Sequence, residues 1–258
     1  TFLTLDITKN YLVVCSHSSD GYSTKVRRDS AGHYHLDLEY NDGVIVLFPI
    51  SEDGSISEPC DIRVFEPEDN VFSCMHSINR SPDGKFFAAC ERNQNKVRFM
   101  RLNYERRCLE LCSTASFPWG TTYKNGHAPR YGVFHPTKPF FYFNSETVDI
   151  QDVVPKLEGI ENEKVALSDL CVDANGNYMY VLYRKINVIC VFTLDPETGI
   201  PAMVQSLPLA GDGPRGMTIS PDGRFLLIAQ RDSKEIETFS VASDGFLQPT
   251  GNSVNGFP

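Results

Sequence analysis

Five segments of this chain fall into one register. They are Asp6-Ile7-Thr8-Lys9-Asn10-Tyr11, Ser81-Pro82-Asp83-Gly84-Lys85-Phe86, His135-Pro136-Thr137-Lys138-Pro139-Phe140, Asp173-Ala174-Asn175-Gly176-Asn177-Tyr178 and Ser220-Pro221-Asp222-Gly223-Arg224-Phe225, each with an aromatic residue five positions after its first member. Their centres hold residues that preset φ (Pro) or accept positive φ (Gly, Asn), and their flanks are β-branched and aromatic, so each reads as the turn of a β-hairpin.

A third alternating apolar run follows three of these hairpins, at Val97 to Leu102, Val188 to Leu194 and Ile236 to Val241. The turns Asp195-Pro196-Glu197-Thr198-Gly199 and Ser243-Asp244-Gly245 then lead into fourth runs, Pro201 to Leu209 and Leu247 to Val254. Four short strands per repeated unit predict an all-β fold, a β-propeller of four-stranded blades forming a single domain over residues 1–258. Successive anchors lie 75, 54, 38 and 47 residues apart, where a blade needs about 40 to 50. The long first gap holds a third-strand run (Val44 to Ile50) with no complete hairpin just before it. Part of one blade is therefore expected to be missing or divergent around Tyr22 to Tyr40, and seven blades are expected in all. The chain also begins in mid-pattern and without methionine, so part of the N-terminal region is expected to be missing or divergent.

Residues equidistant from a hairpin turn face each other across its strands. Five positions before each anchor stand Thr1, His76, Arg130, Ser168 and Arg215; eleven after stand His17, Arg92, Glu146, Arg184 and Arg231. Every member is polar or charged at the end of an apolar strand, and radial blades would gather both columns on one face near the central channel. Arg130 opposite Glu146 sets a cation beside a carboxylate, Arg184 with Asp169 brings a second cation, and His76 with Glu91 approaches from the preceding blade. Arg215 facing Arg231 requires an anion or a carboxylate to offset their repulsion. The plain alternative is that these strand ends have simply reached water and carry ordinary cross-strand ion pairs.

Composition narrows the partners. With 33 acidic against 24 basic residues and a formal charge of −9, and with no long run of like charge, neither nucleic-acid nor membrane binding is expected. No apolar stretch approaches the roughly 18 residues of a membrane span. Several of the eight cysteines, such as Cys90, sit inside apolar strand runs, which fits free thiols in a reducing, cytoplasmic setting. The one close pair, Cys108 and Cys112, lacks a second pair to complete a zinc site. A calcium site would need converging carboxylates and amides where the columns hold mostly cations, so no metal and no cofactor are expected. No GxSxG elbow, phosphate-cradling glycine loop or dinucleotide fingerprint occurs.

Met75-His76-Ser77, Ala128-Pro129-Arg130-Tyr131, the Asn144 to Glu146 end, Tyr183-Arg184 and the Ser220 to Gln230 segment resemble the seven-bladed lactonase propellers over nearly the whole chain. That family includes propeller-type 6-phosphogluconolactonases, enzymes of carbohydrate metabolism, and 3-carboxy-cis,cis-muconate cyclases, which open or close lactone rings. The resemblance implies a catalytic set of His76, Arg130, Glu146 and Arg184, with His17, Glu91, Asp169, Arg215 and Arg231 around the substrate. Two positions depart from the family: His17 stands where an acidic residue is common, and Arg231 where an amide is usual.

Lactone hydrolysis needs a base for water, a cation for the oxyanion and an acid for the leaving alkoxide. On this reading Glu146 is the base or proton shuttle, Arg130 and Arg184 hold the anionic group and the oxyanion, and His76 is the acid. The expected activity is metal-independent hydrolysis of a small anionic sugar lactone. The alternatives are a muconate-cyclase-like enzyme acting on a polycarboxylate and a non-catalytic propeller serving as a binding scaffold.

Overall fold

The computed structural model describes residues 2–16, 22–40, 42–66, 68, 73–117, 128–145, 148–149 and 164–256, and among these every regular element is a strand. The chain divides into two compact units, Thr1–Arg130 and Tyr131–Pro258.

In the first unit, β1 (Phe2–Leu5), β2 (Tyr11–Ser16), β5 (Gly43–Pro49) and β6 (Asp61–Phe65) form one antiparallel four-stranded sheet in that order. Between β2 and β5 the chain makes a separate hairpin, β3 (Tyr22–Arg28) and β4 (Tyr34–Tyr40), paired from Tyr22 opposite Tyr40 to Arg28 opposite Tyr34. This corrects the expectation for the long first gap. The first sheet is complete, and Tyr22 to Tyr40 is an insertion between its second and third strands. The second sheet comprises β7 (Met75–Arg80), β8 (Phe87–Glu91), β9 (Lys96–Asn103) and β10 (Cys108–Ser116). Val13, Ile45, Leu47, Met75, Ile78 and Phe87 bury their side chains between the two sheets, each worth about 1.5–3 kcal/mol relative to exposure.

Next come two short pairs, β11 (Pro129–Phe134) with β12 (Phe141–Ser145) and β13 (Val148–Asp149) with β14 (Lys164–Val165). The second unit holds two more four-stranded sheets. One is β15 (Leu167–Val172), β16 (Tyr178–Tyr183), β17 (Val188–Leu194) and β18 (Pro201–Pro208); the other is β19 (Pro214–Ile219), β20 (Phe225–Gln230), β21 (Glu235–Val241) and β22 (Leu247–Asn255). Tyr180, Leu182, Ile189, Leu226, Ile228 and Phe239 form their shared core.

The five anchors share one mechanism: the side chain of the first residue caps its own turn. Ser81 and Ser220 accept the backbone N–H of Phe86 and Phe225 on Oγ, both at 3.0 Å, and each donates to the turn aspartate, Asp83 at 2.7 Å and Asp222 at 2.6 Å. Asp6 takes the N–H of Tyr11 at 2.8 Å, and Asp173 that of Tyr178 at 2.7 Å. His135 accepts from the N–H groups of Thr137 and Lys138 on Nδ1, at 3.2 and 3.0 Å. Its ring also packs on Gly176, whose φ is +75° and where an added Cβ would lie 2.2 Å from the imidazole. Only glycine fits there.

Candidate functional site

At three of the five anchors the position five residues before coincides with a β-bulge. In the β7–β8 pair Met75 faces Glu91 and Ser77 faces Cys90, so His76 is the extra residue of the ladder. Ser168 is skipped likewise between Leu167 and Asp169, and Arg215 between Pro214 and Gly216. A bulge bends its strand and re-aims the extra side chain. These three positions are therefore special, but the expected pairing across their hairpins is corrected: the second-column residues Arg92, Arg184 and Arg231 instead donate their backbone N–H to the residue two before the bulge. Arg92 bonds Cys74, Arg184 bonds Ala166 and Arg231 bonds Gly213, each at 2.9 Å.

In the first unit the structure brings His76 and Arg130 together. Both are buried, at 8% and 4% exposure, and Arg130 donates from Nε to Nε2 of His76 at 2.9 Å. Guanidinium only donates, so His76 accepts on Nε2 in this contact.

Glu91 is fully buried and its carboxylate is engaged within its own sheet. Arg98 donates from Nε at 2.6 Å, Ser73 donates from Oγ, and the Arg98 guanidinium lies 4.6 Å from the centre of the Phe65 ring. This places Glu91 in an internal ion pair. Glu68 adds a partly exposed carboxylate beside Arg98, at 3.5 Å, and beside Lys96, and the Lys96 hydrogen bond holds its carboxyl below the usual range.

In the second unit Asp169 is likewise committed to structure, accepting the N–H of Met217 on the neighbouring sheet at 2.9 Å and that of Leu170 at 2.9 Å. Arg184 is partly exposed just beyond β16. Arg231 makes a two-toothed contact with Asp232, at 2.6 and 3.1 Å. That contact holds the Asp232 carboxyl below its ordinary value, and the charge of Arg215 pulls in the same direction. Asp232 thus offsets the charge of Arg231. His17 and Glu146 lie outside the described residues.

Sequence reasoning missed the residues that brace the strand carrying Arg130. Asn144, buried on β12, accepts the N–H of Tyr131 at 2.9 Å. Asn95 accepts the N–H of Ala128 at 2.9 Å. A signal for Asn95 was present, since Arg92-Asn93-Gln94-Asn95 and Arg184-Lys185-Ile186-Asn187 repeat an Arg and an Asn at the same spacing. Among the described residues no group of three or more His, Cys, Asp or Glu is arranged to hold a metal ion, and none of the eight cysteines is in a disulfide.

A family model described as "Lactonase, 7-bladed beta-propeller" matches residues 4–150 and 147–256. The 6-phosphogluconolactonase of Erwinia tasmaniensis is 25% identical over 250 residues, covering 92% of this chain and 72% of that protein. That of Cronobacter sakazakii is 27% identical over 252 residues, with the same coverage of 92% and 72%. Among solved structures, the periplasmic gluconolactonase PpgL of Pseudomonas aeruginosa superimposes with a TM-score of 0.70 at 21% identity, covering 99% of this chain and 85% of that one. A protein from Lactobacillus plantarum gives 0.71 at 17% identity, covering 100% and 85%. At these identities the two structures speak to the fold alone.

Proposed function

Because the chain belongs to the seven-bladed β-propeller lactonase family, we propose that residues 1–258 act as one domain that hydrolyses a small anionic sugar lactone of the 6-phosphogluconolactone kind. The observation that carries the proposal is the buried guanidinium of Arg130, held by its hydrogen bond to His76. The relatives named 6-phosphogluconolactonase over nine-tenths of the chain support the substrate class.

In the proposed reaction water adds to the lactone carbonyl carbon while Glu146 takes its proton. Arg130 and Arg184 stabilise the oxyanion and hold the anionic substituent. The ring C–O bond then breaks, and Glu146 returns the proton to the leaving alkoxide, so one carboxyl serves as base and then as acid. His76 keeps Arg130 aimed. Eight thiols outside any disulfide support a reducing, cytoplasmic setting.

The test is hydrolysis of 6-phosphoglucono-δ-lactone against the spontaneous rate, with a chelator present. Activity above background that survives the chelator, and that falls about 100-fold or more in Arg130→Ala and Glu146→Gln, is the expected result. Absence of activity above the spontaneous rate would remove this substrate, and a muconate-type cyclisation assay would follow.

A further inference from the structure

Arg130 and Arg215 enter their strands through the same device. Each follows a proline, and each proline follows a residue in the left-handed region, Ala128 at φ +43° and Gly213 at φ +68°. In both cases the N–H of that residue is held by the side-chain oxygen of an asparagine from the turn joining the second and third strands of the preceding sheet. Asn95 accepts from Ala128 at 2.9 Å, and Asn187 accepts from Gly213 at 3.1 Å. Both asparagines are themselves left-handed, at φ +57° and +50°, a conformation this residue tolerates.

The two cases differ in what they demand. Glycine adopts positive φ freely, whereas an alanine there is strained by its Cβ. Ala128 therefore needs its bond to Asn95 more than Gly213 needs its bond to Asn187. Asn95 is itself firmly held. It is 1% exposed, its amide donates to the carbonyl of Phe117 just beyond β10, and its own carbonyl accepts from the N–H of Phe117 at 3.0 Å. Past Ala128, Pro129 fixes φ and Arg130 meets His76.

We propose that Asn95 is a positioning residue for Arg130: by holding Ala128 in a left-handed conformation it sets the angle at which the guanidinium enters the site. The inference rests on the lactonase reading only for what Arg130 does, not for how it is aimed.

Asn95→Gly keeps the backbone conformation and removes the side-chain acceptor of the Ala128 N–H together with the donor to Phe117. Asn187→Gly makes the matching deletion in the second unit. The first readout is hydrogen exchange of the Arg130 Nε–H, followed by NMR and assigned by its loss in Arg130→Lys. Exchange should quicken about tenfold or more in Asn95→Gly, as for a buried bond that opens locally, and stay at the parent rate in Asn187→Gly. The second readout is lactone hydrolysis, in which Asn95→Gly should lower kcat about 10- to 100-fold with a smaller change in KM, and Asn187→Gly should change neither by as much. Unchanged exchange in Asn95→Gly, or equal acceleration in both glycine variants, overturns the proposal. If the parent has no lactonase activity, the functional reading fails and the exchange result still decides the role of Asn95.

Discussion

Replacing Arg98 by methionine tests the claim that Glu91 is an internal ion pair. The carboxylate is fully buried, the Arg98 side chain is 10% exposed, and Nε and Oε2 are 2.6 Å apart. Removing one partner of such a pair leaves a charge that has lost both water and counter-ion, which costs about 3–5 kcal/mol. For a chain of this size each kcal/mol moves the midpoint by about 2–4 °C, so the unfolding transition should drop by roughly 6–20 °C. Urea unfolding at pH 7 should show a lower midpoint with an unchanged slope. Methionine retains much of the bulk that packs on Phe65, which isolates the charge from the packing. The double variant Glu91→Gln/Arg98→Met removes the stranded charge and should recover most of the loss. A single-variant cost below about 1 kcal/mol, the scale of an exposed pair, would refute the reasoning. So would a double variant no more stable than the single one.

The Asp222 carboxyl, held down to about 2 from 3.8 by the Ser220 hydroxyl and the turn around it, stabilises the folded state above pH 3.8, and this contribution is lost as pH falls through about 2. Acid unfolding followed by circular dichroism should therefore steepen between pH 4 and 2, and Asp222→Asn should flatten that limb. Gly176→Ala combines a left-handed cost of about 1–2 kcal/mol with a collision on the His135 ring, whereas Gly223, at φ +72° with nothing within 4 Å of an added Cβ, meets the first cost alone. Differential scanning calorimetry should rank Gly176→Ala well below Gly223→Ala; equal losses would contradict the close approach. Burial pushes the Cys90 thiol up to about 12 while Cys112 is exposed, so a thiol reagent at pH 8 should label Cys112 in the native protein and Cys90 only after denaturation.

The five anchors were legible because the residues that make each turn are the residues that cap it: Ser81 and Ser220, Asp6 and Asp173, and His135 all bond their own following backbone. Strands followed from alternation, and β17 spans Val188–Leu194 as expected. The column positions were visible as polar ends, but not their partners. A bulge adds one residue without changing polarity, so the offset between His76 and Arg92 leaves no mark in the pattern. The Tyr22 to Tyr40 hairpin could not be told from a damaged blade, since both alternate in the same way. Glu91 was misjudged for a different reason. Lys96 lies directly opposite it and Arg98 diagonally so, on the same face; only burial decides which cation it meets. The contact of His76 with Arg130 left no mark either, because Arg130 comes from a strand 54 residues away.

The bulge also separates what the sheets are from what they carry. His76, Ser168 and Arg215 are an imidazole, a hydroxyl and a guanidinium, yet the strand pairs on either side of them keep one register. A residue outside the ladder contributes no cross-strand pair, so exchanging it leaves the neighbouring rungs in place. The bulge works as a socket: the three sheets could trade these side chains while the surrounding ladder is rebuilt unchanged.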